Sequence, residues 1–195
     1  MRLSLVPVLF GLLAALGGCN FRGTPDPALS KRDIEWMALM PHADIDPIFG
    51  RYEVADPTGE APGTIVVDTK ERQLYFVLPN RRAIRYGVAV GDEAFGWTGT
   101  ATVARKAEWP DWNPPPEMKQ RWPHVHPVKG GPNSPLGARA LYLFEGNRDT
   151  LYRIHGTNEP EKIGQAVSSG CIRMRNIDII DLYNRTQLGA KVIVR

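Results

Sequence analysis

From Gly63 onward the apolar residues come in short runs rich in Val, Ile, Tyr and Phe, each closed by turn-forming residues, and that spacing suits strands. Thr64–Asp68 (TIVVD), Gln73–Leu78 (QLYFVL) and Ala83–Val90 (AIRYGVAV) read as a β-meander, with turns at Thr69–Arg72 and Pro79–Arg82. Ala101–Ala104, Ala140–Phe144, Leu151–His155 and Lys191–Val194 read as further strands. The fold expected is therefore mainly β, a mixed β-sheet or sandwich domain with one or two short helices. The chain has 195 residues, 43% of them hydrophobic, which is material for one ordinary core and no second large one. Its 19 Gly and 17 Pro are dispersed among apolar runs, which excludes collagen, a coiled coil and a disordered chain. The net charge of +3 comes from mixed acidic and basic residues without a block of either sign, so a dedicated nucleic-acid binder is not expected.

The first residues read as an address rather than as fold. Met1 and Arg2 give a cationic start, and Leu3–Leu16 is apolar but short of the ~20 residues that span a bilayer. This reads as an export signal over residues 1–18. Its end, Leu16-Gly17-Gly18-Cys19, resembles a bacterial lipobox, in which the cysteine thiol accepts a diacylglyceryl group before cleavage; an ordinary signal peptide that happens to contain a cysteine is the alternative. A lipid on Cys19 would anchor the protein to a membrane from the periplasmic side. Asn20, not Asp, follows, which favours the outer membrane over the inner one. Residues 19–62, rich in Pro, Asp and Gly, read as a tether with one short helix after Ser30, where Asp33 completes a capping box ahead of Ile34, Met37 and Ala38. With Cys19 lipidated, Cys171 is a lone thiol in an oxidising compartment and must be shielded or used.

Between the strands, Glu108–Gly137 carries Trp109, Trp112, Trp122, His124 and His126 among many prolines and looks too irregular for strand or helix. Such a long loop suits a lid or a binding rim for sugar rings or an extended peptide. The alternative is a structural loop whose tryptophans cover an open end of the sheet. His124 and His126, with Glu117 nearby, do not make a metal site, because histidines two apart point different ways and nothing completes four ligands. No glycine-rich nucleotide motif appears, so no cofactor is expected. Near the end, Asn176 reads as the N-cap of a helix that runs to about Arg185, with Asp178 in its first turn and Ile177, Ile180, Leu182 and Tyr183 on an apolar face.

A cysteine nucleophile needs a base and a site that holds an oxyanion. The run RIHGTNEPEKIGQAVSSGCIRMRN from Arg153 to Asn176 offers both: His155 leaves a predicted strand and Cys171 follows sixteen positions later. Gly170 permits close backbone approach to a substrate, and amides around Cys171 could point at an oxyanion. A thiol with such a base is expected to have a lowered pKa and to be alkylated faster than a free thiol near neutral pH.

This run closely resembles the signature of the YkuD-type L,D-transpeptidases (ErfK/YbiS/YcfS/YnhG), in which a His, a spacer, then Ser or Thr, His, Gly and Cys follow one another. The likeness continues through Arg173 and Asn176, Ile65–Asp68 with Leu74 and Tyr75, AEWPDWNPPPEM, GGPNSPLGARALYLF and GAKVIVR, so it covers roughly residues 63–195 as the catalytic domain. It implies an acyltransferase that attacks the bond between an L-centre and D-Ala in a peptidoglycan tetrapeptide stem, releases D-Ala and passes the thioester to an amine of a neighbouring stem, giving a 3→3 cross-link. Cys171 would be the nucleophile, His155 the base, and the Gly156 carbonyl the group that orients the imidazole. Arg173 falls on the family's arginine and would pair with a stem carboxylate, or else make a structural bond to loop carbonyls. Ser168 matches the motif's Ser or Thr; Ser169 stands where the second histidine usually does, beside Gly170. The same chemistry could attach an outer-membrane protein or lipoprotein to the wall, or spend the thioester on water. The competing reading is a non-catalytic tether that binds peptidoglycan.

Overall fold

Strands form at each of the predicted runs of the central sequence, though with some changed bounds, and the chain wraps further elements around them. The protein is described by a computed structural model for residues 22–91, 96–168 and 170–195. Residues 1–18, read above as an export signal, together with Cys19 and Ser169 lie outside the described residues, and of Ser168 only the backbone is described. In chain order the elements are β1 (Arg22–Gly23), α1 (Lys31–Met37), β2 (Tyr52–Ala55), β3 (Ile65–Asp68), β4 (Gln73–Leu78), β5 (Arg82–Gly87), β6 (Val90–Gly91), β7 (Gly99–Glu108), α2 (Pro116–Arg121), β8 (Arg139–Glu145), β9 (Arg148–His155), β10 (Ala166–Ser168), β11 (Ile172–Arg173), α3 (Asn176–Arg185) and β12 (Lys191–Val194).

Ten strands form one sheet in the order β1-β2-β5-β4-β3-β12-β7-β8-β9-β11, and β6 and β10 form a second, two-stranded one. The meander β3-β4-β5 is antiparallel throughout. β12 joins it to the rest of the sheet, lying parallel to β3 and antiparallel to β7. One apolar core is shared by both halves: Ile65, Leu74 and Tyr86 from the meander meet Val103, Leu141 and Ile154, with Ile179 and Leu182 from α3. Mixed pairing with a helix packed on the core is the mainly β class expected.

Three local expectations change. α2 lies inside the segment expected to be irregular, so the described residues hold three α-helices rather than one or two. Tyr52–Ala55, in the stretch read as tether, pairs with β5 and belongs to the sheet. Asn176 is the first helical residue of α3 and not its cap; Arg175 holds that position without a side-chain cap bond. The Ser30–Asp33 capping box forms as read, with both reciprocal bonds present. Asp33 also reaches across to Arg139 in β8 and Trp109, which docks α1 on the domain.

Candidate functional site

β9 and β11 run parallel, with Ile172 opposite Ile154 and Arg173 opposite His155. A parallel pair needs a crossover of a dozen or more residues, and the sixteen positions from His155 to Cys171 supply it. Strand alternation then sorts the side chains. Ile154, Ile172 and Met174 are buried in the core, while His155, Cys171 and Arg173 all line one cleft of about 330 Å³. The crossover carries β10, which pairs parallel with β6. Gly170, immediately before Cys171, has φ +114°, a region that side-chain-bearing residues rarely enter. The close approach it permits includes one to backbone: a Cβ placed on Gly91 would lie 2.8 Å from the Gly170 Cα.

His155 is buried, and its Nδ1 lies 2.5 Å from the Gly156 carbonyl oxygen. A carbonyl can only accept, so Nδ1 carries the proton and Nε2 keeps its lone pair. The orienting contact expected for Gly156 is thus present. Burial holds the His155 pKa down to about 4; the Gly156 bond favours the charged ring, while the Arg173 and Arg153 guanidiniums oppose it. Burial also pushes the Cys171 thiol up, against the Arg153 backbone N–H and the same two guanidiniums. The expected lowered thiol pKa is therefore corrected: at neutral pH the resting pair is a thiol and a neutral imidazole, because the cost of burying charge exceeds what the nearby dipoles and cations return.

The thiol rests against an oxygen the sequence did not point to. Its Sγ donates to the Leu151 carbonyl at 3.9 Å. Leu151 has φ +64° and sits where the β8–β9 register shifts. Short bonds hold the distortion: Leu151 N–H to Asp149 Oδ1 at 2.9 Å, Thr150 Oγ1 to the Leu143 carbonyl at 2.7 Å, and Tyr152 N–H to Thr150 Oγ1 at 3.1 Å. A leucine kept in the left-handed region next to a reactive group is the kind of local strain that functional sites store.

Arg173 Nη1 donates to Glu159 Oε2 at 2.7 Å, so its partner is a carboxylate of the crossover rather than a loop carbonyl. Arg153 forms a two-pronged pair with Asp149 at 2.7 and 2.8 Å. The one sequence signal for Glu159 is an acid in the short stretch after His155. The tryptophan-rich segment divides. Trp109 is buried, donates from Nε1 to Asp33 at 2.8 Å and meets Trp36 edge-on, a structural role. Trp112, Pro115 and Met118, with Pro135 and Leu136, wall the cleft, as a binding rim would. His124 and His126 are exposed and do not line it.

Comparison with known proteins gives the family and the fold. Residues 62–194 match the family model YkuD, the L,D-transpeptidase catalytic domain. A putative L,D-transpeptidase of Fuscovulum blasticum is 34% identical over 133 residues, covering 67% of this chain and 68% of its own. The chain spans only about two fifths of the length of the Escherichia coli relatives it also matches, which are named probable L,D-transpeptidases. Among solved structures, L,D-transpeptidase 3 from Mycobacterium tuberculosis superposes with a TM-score of 0.53 at 15% identity, over 69% of this chain and 62% of that one, a likeness of fold. A Brucella melitensis protein described as a probable carnitine operon oxidoreductase is 49% identical with a TM-score of 0.54, over 77% of this chain and 96% of its own.

Proposed function

The chain belongs to the YkuD family of L,D-transpeptidase catalytic domains, and on that premise we propose that it transfers acyl groups of peptidoglycan stem peptides through a thioester on Cys171. The observation that carries this reading is the meeting of His155, Cys171 and Arg173 in one cleft, with the Gly156 carbonyl holding the imidazole in the tautomer a base requires. Nε2 of His155 takes the thiol proton as Sγ attacks the carbonyl carbon of the L-centre to D-Ala bond. The C–N bond then breaks and the imidazolium returns the proton to the departing D-Ala amine. An amine of a second stem attacks the thioester, the C–S bond breaks, and Sγ recovers its proton while the new amide closes a 3→3 cross-link. Gly170 and Cys171 amides hold the oxyanion. Arg173, with one N–H on Glu159, offers the rest of its fork to a stem carboxylate. Ser168 and Ser169, which precede Gly170 in the sequence, complete the proposed substrate-binding set. No step calls on a cofactor.

The test is intact mass spectrometry of the protein from Asn20 onward, after incubation with tetrapeptide stems ending in D-Ala. The expected result is an acyl adduct on Cys171 with dimeric stems among the products. An adduct that yields only tripeptide would move the acceptor to water or to an outer-membrane protein or lipoprotein amine. Neither adduct nor product would overturn the enzyme in favour of a wall tether.

We also propose that the protein works in the periplasm, held to the outer membrane by a lipid on Cys19. Cys19→Ser in the full chain is expected to move it from the membrane pellet to the soluble fraction; an unchanged pellet would sink the anchor.

A further inference from the structure

We infer that Asn176 is a positioning residue for His155, acting through the backbone of Gly156 and Thr157. The inference rests on the reading of His155 as the base. Asn176 opens α3, yet its amide makes no bond that caps the helix. Its Oδ1 accepts the Ala138 N–H at 2.9 Å, and its Nδ2 donates to the Thr157 carbonyl at 2.8 Å. The same Nδ2 lies 3.2 Å from Met40 Sδ, beyond the end of α1. One side chain thus ties the entry of β8 to the loop that leaves His155.

Room for that amide is made by two residues that have no side chain. A Cβ on Gly137 or on Gly156 would lie 2.2 Å from Asn176 Oδ1. Gly156 is therefore free of steric guidance of its own, and its orientation must come from neighbours. On one side its N–H donates to the Arg139 carbonyl at 3.0 Å. On the other, Asn176 fixes the peptide that follows. The His155 carbonyl is held as well, by the Met174 N–H at 2.8 Å. With both flanks pinned, the Gly156 carbonyl points back at Nδ1. Without Asn176 the Thr157 peptide loses its only side-chain donor among the described residues, and the Gly156 carbonyl can turn away from the ring.

The consequence concerns which ring nitrogen bears the proton. A bond from Nδ1–H to a fixed carbonyl selects one tautomer, and that choice leaves Nε2 basic and available to the thiol. Outer partners that orient a histidine typically matter by 10- to 100-fold where this has been measured at metal sites. A loss on that order in kcat, with KM changed little, is expected for Asn176→Ala.

The deciding measurement is ¹⁵N NMR of the His155 ring in the substrate-free protein, alongside turnover of tetrapeptide stems. In the parent protein a single Nδ1–H tautomer is expected, with a downfield Nδ1 proton. Asn176→Ala should lose that proton signal and move the ring nitrogens towards values averaged over both tautomers. Asn176→Asp keeps the acceptor for Ala138 but sets an oxygen against the Thr157 carbonyl, and should shift the ring in the same direction. If Asn176→Ala does not fold, Asn176→Ser carries the measurement. Unmoved ring signals in a folded variant overturn the inference, whether turnover is kept or lost. A moved ring in a protein that never forms an acyl-enzyme leaves the positioning role standing and sinks the transpeptidase reading instead.

Discussion

Cys171→Ala is expected to abolish the acyl-enzyme and to lower turnover by about 10⁴-fold or more, the scale reached when the nucleophile of a coupled nucleophile–base unit is removed. His155→Ala should cost about 10²- to 10⁴-fold, the usual contribution of a positioned base. The state of the pair decides the form of the pH dependence. His155 is held down to about 4 and the Cys171 thiol is pushed up, so the competent form, neutral ring and protonated thiol, spans neutrality. Below about pH 4 the ring gains a proton and can no longer take one from Sγ, so kcat/KM falls on the acid side. Above the raised thiol range the proton needed by the departing amine has gone, so it falls again. A plateau through pH 5–8 is therefore expected, together with iodoacetamide alkylation slower than that of a free thiol at pH 7. An acid limb between pH 6 and 7 with fast alkylation would show instead that a thiolate–imidazolium pair exists before substrate arrives.

The reversal over the thiol shows what a linear reading can reach. His155, Cys171 and the fifteen residues between them are visible in the sequence, and so is the carbonyl after the histidine. The enclosure of His155 and the half-burial of Cys171 are not, because they are produced by β8 and the walls of the cleft, which come from distant segments. Burial is the first cause of both pKa shifts. The strands of the meander are legible because each is a short run of β-branched and aromatic residues that ends in its own turn. Ala83–Val90 has the pattern of one strand, yet it divides into β5 and β6, which join different sheets, a choice made by β10 far along the chain. β7 was expected to stop at Ala104 and runs on to Glu108. Its charged residues find tertiary partners: Arg105 stacks over Tyr142, and Lys106 donates to the Tyr183 and Thr186 carbonyls at the end of α3. Locally Asn176 reads as a cap, because capping is a local habit of asparagine. Its actual partners, Ala138 and Thr157, lie 38 and 19 positions away.

Asp33→Ala is expected to be among the most destabilising single changes, at about 3–5 kcal/mol, the cost of removing one member of a buried ion pair. Locally Asp33 is only the third residue of a capping box. Across the molecule it is 1% exposed and accepts from Arg139 Nη1 and Nη2 at 2.8 Å each, from Trp109 Nε1 at 2.8 Å, and from Ser30 N–H and Oγ at 3.1 and 2.7 Å. Burial alone would raise its carboxyl, but Arg139, Ser30 and Trp109 overcome that and hold it well below the usual carboxylate range. Alanine would leave the Arg139 guanidinium, 4% exposed, buried without its counter-charge, and its Nε already has no hydrogen-bond partner among the described residues. A loss of that size corresponds to a fall in Tm of roughly 10 °C for a chain of this length. The sign with pH follows from the depressed carboxyl: the stabilisation is complete above the unfolded value of about 4 and is lost only as pH falls below it. The gap between parent and variant should therefore be constant near neutrality and shrink in acid. Replacing both partners, Asp33→Leu with Arg139→Met, separates charge from packing. If the unpaired guanidinium is the cause, the double variant recovers much of the loss; if it is as unstable as Asp33→Ala alone, the cost lies in how α1 packs against Trp109 instead.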